Sequence, residues 1–190
     1  MSSMWIYGIC KYQDVMCLSK ENGLRVEPEM IAADSIKEFL NGNKSSRFPL
    51  YNNERAVLLV DSTGKDICKL TENNIAKLNK LSYNFKQLSR SRRMMIYEIG
   101  NDEASHSFVL TPNQPLLMAN GVYKEVDEIV IGEQLFTYGN SYNNIRLLSK
   151  KELFNYNSVY NIDMTDVNIK NAGIVLTYGI IAKTCSKKGN

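Results

Sequence analysis

Few side chains in this sequence can do covalent chemistry, and they are scattered. Four cysteines, Cys10, Cys17, Cys68 and Cys185, stand beside a single histidine, His106. A thiol is the best nucleophile available at neutral pH. The cysteines show no CxxC spacing, and one imidazole makes a zinc site improbable, so no metal or other cofactor is expected. The plain reading is reduced thiols, mostly buried as small apolar residues. A second feature lies in "FVLTPNQPLLMANG", residues 108–121, where Thr111 and Gln114 flank a Pro-Asn corner between two apolar runs. A Thr hydroxyl there can hold a peptide group or cap the turn before Pro112. Gln114 can donate and accept hydrogen bonds but carries no proton that titrates near neutral pH. His106 reads as a strand-edge residue, and eight residues along a strand, more than about 25 Å, keep it from standing in for Gln114. A third feature is "KQLSRSRR", with Lys86, Arg90, Arg92 and Arg93. It reads as a solvated helix end completing the dipole, with nucleic-acid contact as the alternative. No Gly-rich phosphate loop, paired catalytic carboxylates or Ser/His/Asp set points to a conventional enzyme.

The elements that must position these residues are mainly strands. "MWIYGIC", "RAVLLVD", "RMMIYEIG", "HSFVLT", "PLLMANG", "EQLFTYG", "NIRLLS", "SVYNIDMT" and "GIVLTYGIIAKTC" are rich in β-branched and aromatic residues, with Gly, Asn, Asp or Pro between them. Turn signals about every ten residues predict an all-β sandwich or barrel-like architecture. Between the strands, Ile75, Leu78, Leu81, Phe85 and Leu88 recur at helical spacing behind Thr71 as N-cap, which predicts an amphipathic helix over about 72–89. A weaker helix is expected over Ser35–Leu40. The 190 residues make one domain, and a net charge of +3 is too small to imply a nucleic-acid partner by itself. No apolar run is long enough for a bilayer and no secretory signal opens the chain, so the expectation is an intracellular, non-membrane protein.

An internal repeat is also visible. "EMIAADSI" (Glu29–Ile36) aligns without gaps to "EIVIGEQL" (Glu128–Leu135), and an Asn-Gly turn, Asn22-Gly23 or Asn120-Gly121, precedes each. Two related β subdomains about a pseudo-two-fold axis are expected.

With these features together, the sequence resembles the Hint family, the hedgehog/intein self-processing domains. "FVLTPNQPLLMANG" looks like the block that usually carries Thr-x-x-His, and "VDEIVIGEQLFTYG" like its continuation. "SVYNIDMTDVNIKNAGIVLTYGIIAKTC" resembles the C-terminal blocks, which usually read Val-Tyr-Asp and end in His-Asn before a nucleophile. "YGICKYQDVMCLSKENG" resembles the N-terminal block with Cys10 as its first residue. The resemblance implies a mainly β, Hint-like fold with a helical insertion: one domain over 1–190, whose divergent stretch is 37–99. It also implies a self-reaction. The first Cys attacks the preceding carbonyl, the Thr and His of the middle block assist, a downstream nucleophile takes the acyl group, and the terminal Asn cyclises.

By this alignment Cys10 is the first nucleophile, against a buried strand cysteine on the plain reading. Thr111 retains its hydroxyl, and Gln114 replaces the expected His. Asn161 replaces the expected Asp, and Asp163, two residues along the same strand face, is the candidate to compensate. Lys183 and Thr184 replace His and Asn, and Thr has no amide with which to form a succinimide. Cys185 holds the downstream nucleophile position. The groups that transfer protons or cyclise are therefore missing. The expectation is a degenerate module that has lost self-splicing and acts as a structural or protein-interaction domain, with a protein partner or host assembly. Autoprocessing through Cys10 is the alternative, and nucleic-acid association through the basic cluster is the second alternative.

Overall fold

The computed structural model describes residues 6–20, 27–40, 54–67, 83–140, 142–164 and 171–186. Among the described residues the strands form three sheets. The first orders β2 (Glu27–Ala32), β1 (Asp14–Lys20) and β3 (Glu54–Val57). The second orders β4 (Leu59–Val60), β10 (Gly173–Val175), β11 (Ile181–Lys183), β7 (Pro115–Leu117) and β8 (Tyr123–Glu125). The third orders β12 (Cys185–Ser186), β9 (Arg146–Met164), β5 (Tyr83–Gly100) and β6 (Ser105–Leu110). Pairing among the described residues is antiparallel except between β12 and β9, where Cys185 stands opposite Asp163. Among the described residues the one α-helix is α1 (Ala33–Leu40), which takes in the weak helix expected over Ser35–Leu40. No helix of the described residues is long and apolar enough to cross a membrane.

In β6 the alternate residues Phe108 and Leu110 turn inward, while β4 and β10 are buried on both faces. Val15, Leu18, Ile36, Leu58, Leu59, Tyr97, Phe108, Leu117, Ile162 and Ile174 join one core that the sheets share. A smaller cluster holds Cys10, Met94 and Val159, with Ile6 and Val109 packed against it.

A pseudo-two-fold relation is written in the main-chain hydrogen bonds. Ile9 bridges Leu110 at the axis. On one side Cys10 N donates to Val109 O at 3.1 Å, and on the other Thr111 N donates to Gly8 O at 3.0 Å. Each strand then turns alike, Gln13 N onto Cys10 O and Gln114 N onto Thr111 O. Each arm closes alike too. Ala33 and Asp34 donate to Gln13 and Lys11, while Val126 and Asp127 donate to Gln114 and Pro112. So Gly8–Gln13 matches Val109–Gln114, and Ala33–Ile36 matches Val126–Ile129. The register differs from the one read in the sequence, where Ile36 falls on Leu135. The second arm returns sooner than the first, and an ungapped alignment cannot carry that difference.

The helix expected over about 72–89 needs correction. Residues 83–89 are strand, paired through β5 with β9 from Tyr83 opposite Met164 to Ser89 opposite Val159. Residues 72–82 lie outside the described residues. β5 also carries register shifts between Gln87 and Ser89 and again between Ser89 and Arg92. Phe85 and Leu88, three apart in the sequence, fall on this strand, where pairing with β9 decides the backbone. The basic cluster therefore sits on a strand, and a helix dipole is not the reason for it. Strands β3, β4 and most of β5 fall within 37–99, so those parts of the stretch belong to the sheets.

Candidate active site around Tyr7 and Gly8

The segment from Ile6 to Cys10 is seated like an extended peptide in a slot. Ile6 O accepts Arg92 Nη1 at 3.0 Å and Asn113 Nδ2 at 3.2 Å. Tyr7 O accepts Asn161 Nδ2 at 3.2 Å and the Cys185 thiol at 3.2 Å. Gly8 N donates to Thr111 Oγ1 at 3.0 Å. Ile9 and Tyr160 exchange main-chain hydrogen bonds at 2.9 Å each way. The peptide bond between Tyr7 and Gly8 is thus gripped on both sides, with a thiol at its carbonyl.

Secondary structure explains the convergence. Thr111 follows β6, Gln114 precedes β7, Asn161 and Asp163 lie on β9, Lys183 ends β11, and Cys185 begins β12. The parallel step of β12 beside β9 brings Cys185 across to Asn161. Asn161 and Gln114 are fully buried. Gln114 Nε2 donates to Pro115 O at 2.7 Å and to Lys183 O at 3.1 Å. Asn161 Nδ2 meets Tyr7 O, Gln114 Oε1 at 3.3 Å, Lys183 O at 3.1 Å and Cys185 Sγ at 3.8 Å. Two N–H bonds serve four acceptors, so this amide is the hub of the site. Its Oδ1 accepts Ile162 N at 2.7 Å.

Of the residues singled out in the sequence, Thr111, Gln114, Asp163, Lys183, Thr184 and Cys185 stand on or directly beside the strands that meet here. Lys183 contributes its carbonyl, while its Nζ lies 5.8 Å from the centre of the Tyr123 ring. Thr184 turns its hydroxyl to Ala172 O at 3.0 Å. Asp163 is buried opposite Cys185 in the ladder. Cys10 is the exception. Thr111 holds Gly8, two residues earlier, and Cys10 packs with Met94 and Val159. Gly8 therefore stands where the sequence reading put Cys10, and it has no side chain to react. Nor is there room for one, because a Cβ on Gly8 would fall onto the Tyr160 carbonyl oxygen and 2.7 Å from Val159 Cγ1. Sequence reasoning also missed Tyr7, Arg92 and Asn113 as members of the site. A usable signal existed: aligning Gln13 with Gln114 sets Gly8 opposite Val109 and fixes the register.

Electrostatics keep the thiol quiet. Burial pushes Cys185 up to about 11, and neighbouring Asp163 adds to the shift, against the hydrogen bond at Tyr7. Cys10 is also raised, again chiefly by burial. At neutral pH iodoacetamide is expected to label Cys185 roughly 10²-fold more slowly than an exposed thiol, because the thiolate reacts. The rate should climb about tenfold per pH unit toward pH 11. Peptide-resolved mass spectrometry reads this, and labelling at the rate of an exposed thiol would contradict the burial.

No family model matches the chain, and no curated protein matches its sequence. Its backbone does resemble solved structures. Against the crystal structure of the VidaL intein the TM-score is 0.57 at 11% identity, covering 94% of this chain and 97% of that one. Against an intein from a hyperthermophile it is 0.56 at 13%, covering 94% and 100%. Against the Ssp DnaB mini-intein variant M86 it is 0.52 at 9%, covering 96% of each. At such identities the likeness shows the fold.

Proposed function

We propose that this chain, which has the mainly β Hint fold seen in inteins, is a non-splicing module that keeps its Tyr7–Gly8 and Thr184–Cys185 bonds whole. It serves as a structural or protein-interaction domain. The observation that carries the reading is the chemistry around Tyr7–Gly8. Asn161 and Thr111 hold it, Gln114 backs Asn161, and none of the three carries a proton that titrates near neutral pH. Thr111 Oγ1 accepts the Gly8 N–H, so it holds the nitrogen as an amide rather than protonating it as a leaving amine. Each absent proton-transfer group costs a factor of about 10² to 10⁴. The purified chain should keep its full mass for days with excess dithiothreitol or hydroxylamine at neutral pH. Fragments beginning at Gly8 or Cys185 would refute the reading.

A second reading is favoured by the 3.2 Å contact between Cys185 Sγ and Tyr7 O. Here the thiol attacks the Tyr7 carbonyl carbon, a C–S bond forms, the C–N bond to Gly8 breaks, and the thiol proton ends on the Gly8 amine. Water then hydrolyses the thioester and releases residues 1–7. A Gly8-starting fragment that disappears in Cys185→Ala would establish it. Cys10 is not placed for this scheme, since Thr111 holds Gly8 and the Cys10 side chain packs with Met94 and Val159. The nucleic-acid reading draws on a cluster in which Arg92 also donates through Nη1 to the Ile6 carbonyl.

A further inference from the structure

Tyr7 takes part in this site twice. Its carbonyl accepts Cys185 and Asn161, and its phenol reaches across to donate to the Thr184 carbonyl oxygen at 2.7 Å. The two contacts run in opposite directions between the same two stretches of chain. We propose that the Tyr7 phenol is the electrophilic donor of the Thr184–Cys185 peptide bond. It stands where negative charge collects when the Thr184 carbonyl is attacked. The inference rests on the non-splicing reading: Thr184 offers no attacking group, so in this chain the donor is idle.

Three observations make the donor a fixed one. Thr184 is locked in place, with its N–H and its hydroxyl both donating to Ala172 O, at 2.9 and 3.0 Å. The preceding carbonyl, of Lys183, is held by Gln114 and Asn161. The phenol itself is anchored through its own main chain at the Tyr7 carbonyl and the adjoining Ile6 carbonyl. A donor already aimed at a carbonyl needs little reorganisation when charge develops there. Burial keeps this phenol protonated far above its usual range, so it remains a donor at any working pH. One consequence is an order of events. The residue that precedes the first gripped peptide bond serves the second, so losing residues 1–7 would strip Thr184–Cys185 of its donor.

The test supplies the missing attacker. In Thr184→Asn the side-chain nitrogen attacks its own main-chain carbonyl. An N–C bond forms, the C–N bond to Cys185 breaks, the amide proton ends on the Cys185 amine, and residue 184 is left as a succinimide. A fragment beginning at Cys185 is expected, and adding Tyr7→Phe should slow its release by about 10²-fold, as for loss of one oxyanion donor. Site-specific 3-fluorotyrosine at position 7, a stronger donor, should match or exceed tyrosine; a merely structural hydroxyl would show no such gain over phenylalanine. A folded Thr184→Asn chain that stays whole, or one that Tyr7→Phe does not slow, overturns the proposal. A measurement free of any cleavage uses the parent sequence with a ¹³C carbonyl at Thr184. Its infrared stretch should move to higher frequency in Tyr7→Phe, and an unmoved band also overturns the proposal. Cleavage in the parent chain itself would instead count against the non-splicing reading, and it is scored separately.

Discussion

Gly8→Ala is expected to destabilise the domain by about 3 kcal/mol, at the upper end of what an overpacked site costs. For a chain of this size that lowers the melting temperature by roughly 6 to 12 °C. One methyl group does this because the slot is closed. It would fall onto the Tyr160 carbonyl oxygen and 2.7 Å from Val159 Cγ1, and one of its two neighbours is main chain. Relief requires the strand from Gly8 to move away from β9, and that movement breaks the paired hydrogen bonds of Ile9 with Tyr160. Gly8→Cys should be at least as damaging. A thiol at this position therefore needs a change in the wall before it brings any chemistry. Thermal unfolding of the two variants beside the parent decides the matter. Unchanged melting in Gly8→Ala would show that the slot gives way easily and that the reading of a closed site is mistaken.

Asn161→Asp should cost more, and its cost should depend on pH. The amide N–H bonds now face the oxygens of Tyr7, Lys183 and Gln114. A carboxylate there faces three acceptors in a fully buried position, and a buried charge without a partner costs about 3–5 kcal/mol. The same repulsion raises the pKa of the new carboxyl above its unfolded value of about 4. A folded pKa raised above the unfolded one places full stability below pH about 4, with loss as pH climbs through the folded value. The variant should therefore lie nearest the parent in mild acid and fall away toward neutral pH. Adding Gln114→His supplies an imidazolium within reach, and the pair should recover about 1–3 kcal/mol of coupling. Urea melts of the four chains at pH 5 and pH 8 give the cycle. If the single variant is as stable at pH 8 as at pH 5, and the cycle shows no coupling, Asn161 is not the hub described above.

The fold was legible where local pattern and tertiary environment agree. "HSFVLT" reads as a strand by its β-branched and aromatic residues, and β6 forms there with alternating burial. "PLLMANG" reads as a strand and a turn, and β7 with Gly121 at φ 86° forms both. "RMMIYEIG" reads as the strand it is, and the pattern fails in the first part of β5, over 83–89, where pairing with β9 decides the backbone. The site was legible in its types and less so in its register. Thr111, Gln114, Asn161 and Cys185 stand out through the resemblance to the Hint blocks. Gly8 does not, because a residue with no side chain offers no chemical signature, and the eye passes to the thiol of Cys10 two places on. Tyr7 reads as one more strand aromatic until its phenol is found on a carbonyl 177 residues away.

The parallel step of β12 has a wider meaning for how such a unit sits inside a larger polypeptide. It draws the strand that leaves the fold up against the strand that enters it, until the Cys185 sulfur touches the Tyr7 carbonyl oxygen. Entry and exit at one point are the geometry that makes domain insertion tolerable. A host loop could take up the whole unit between two adjacent residues without being pried open, and the host would register it as a bulky graft on a single stalk.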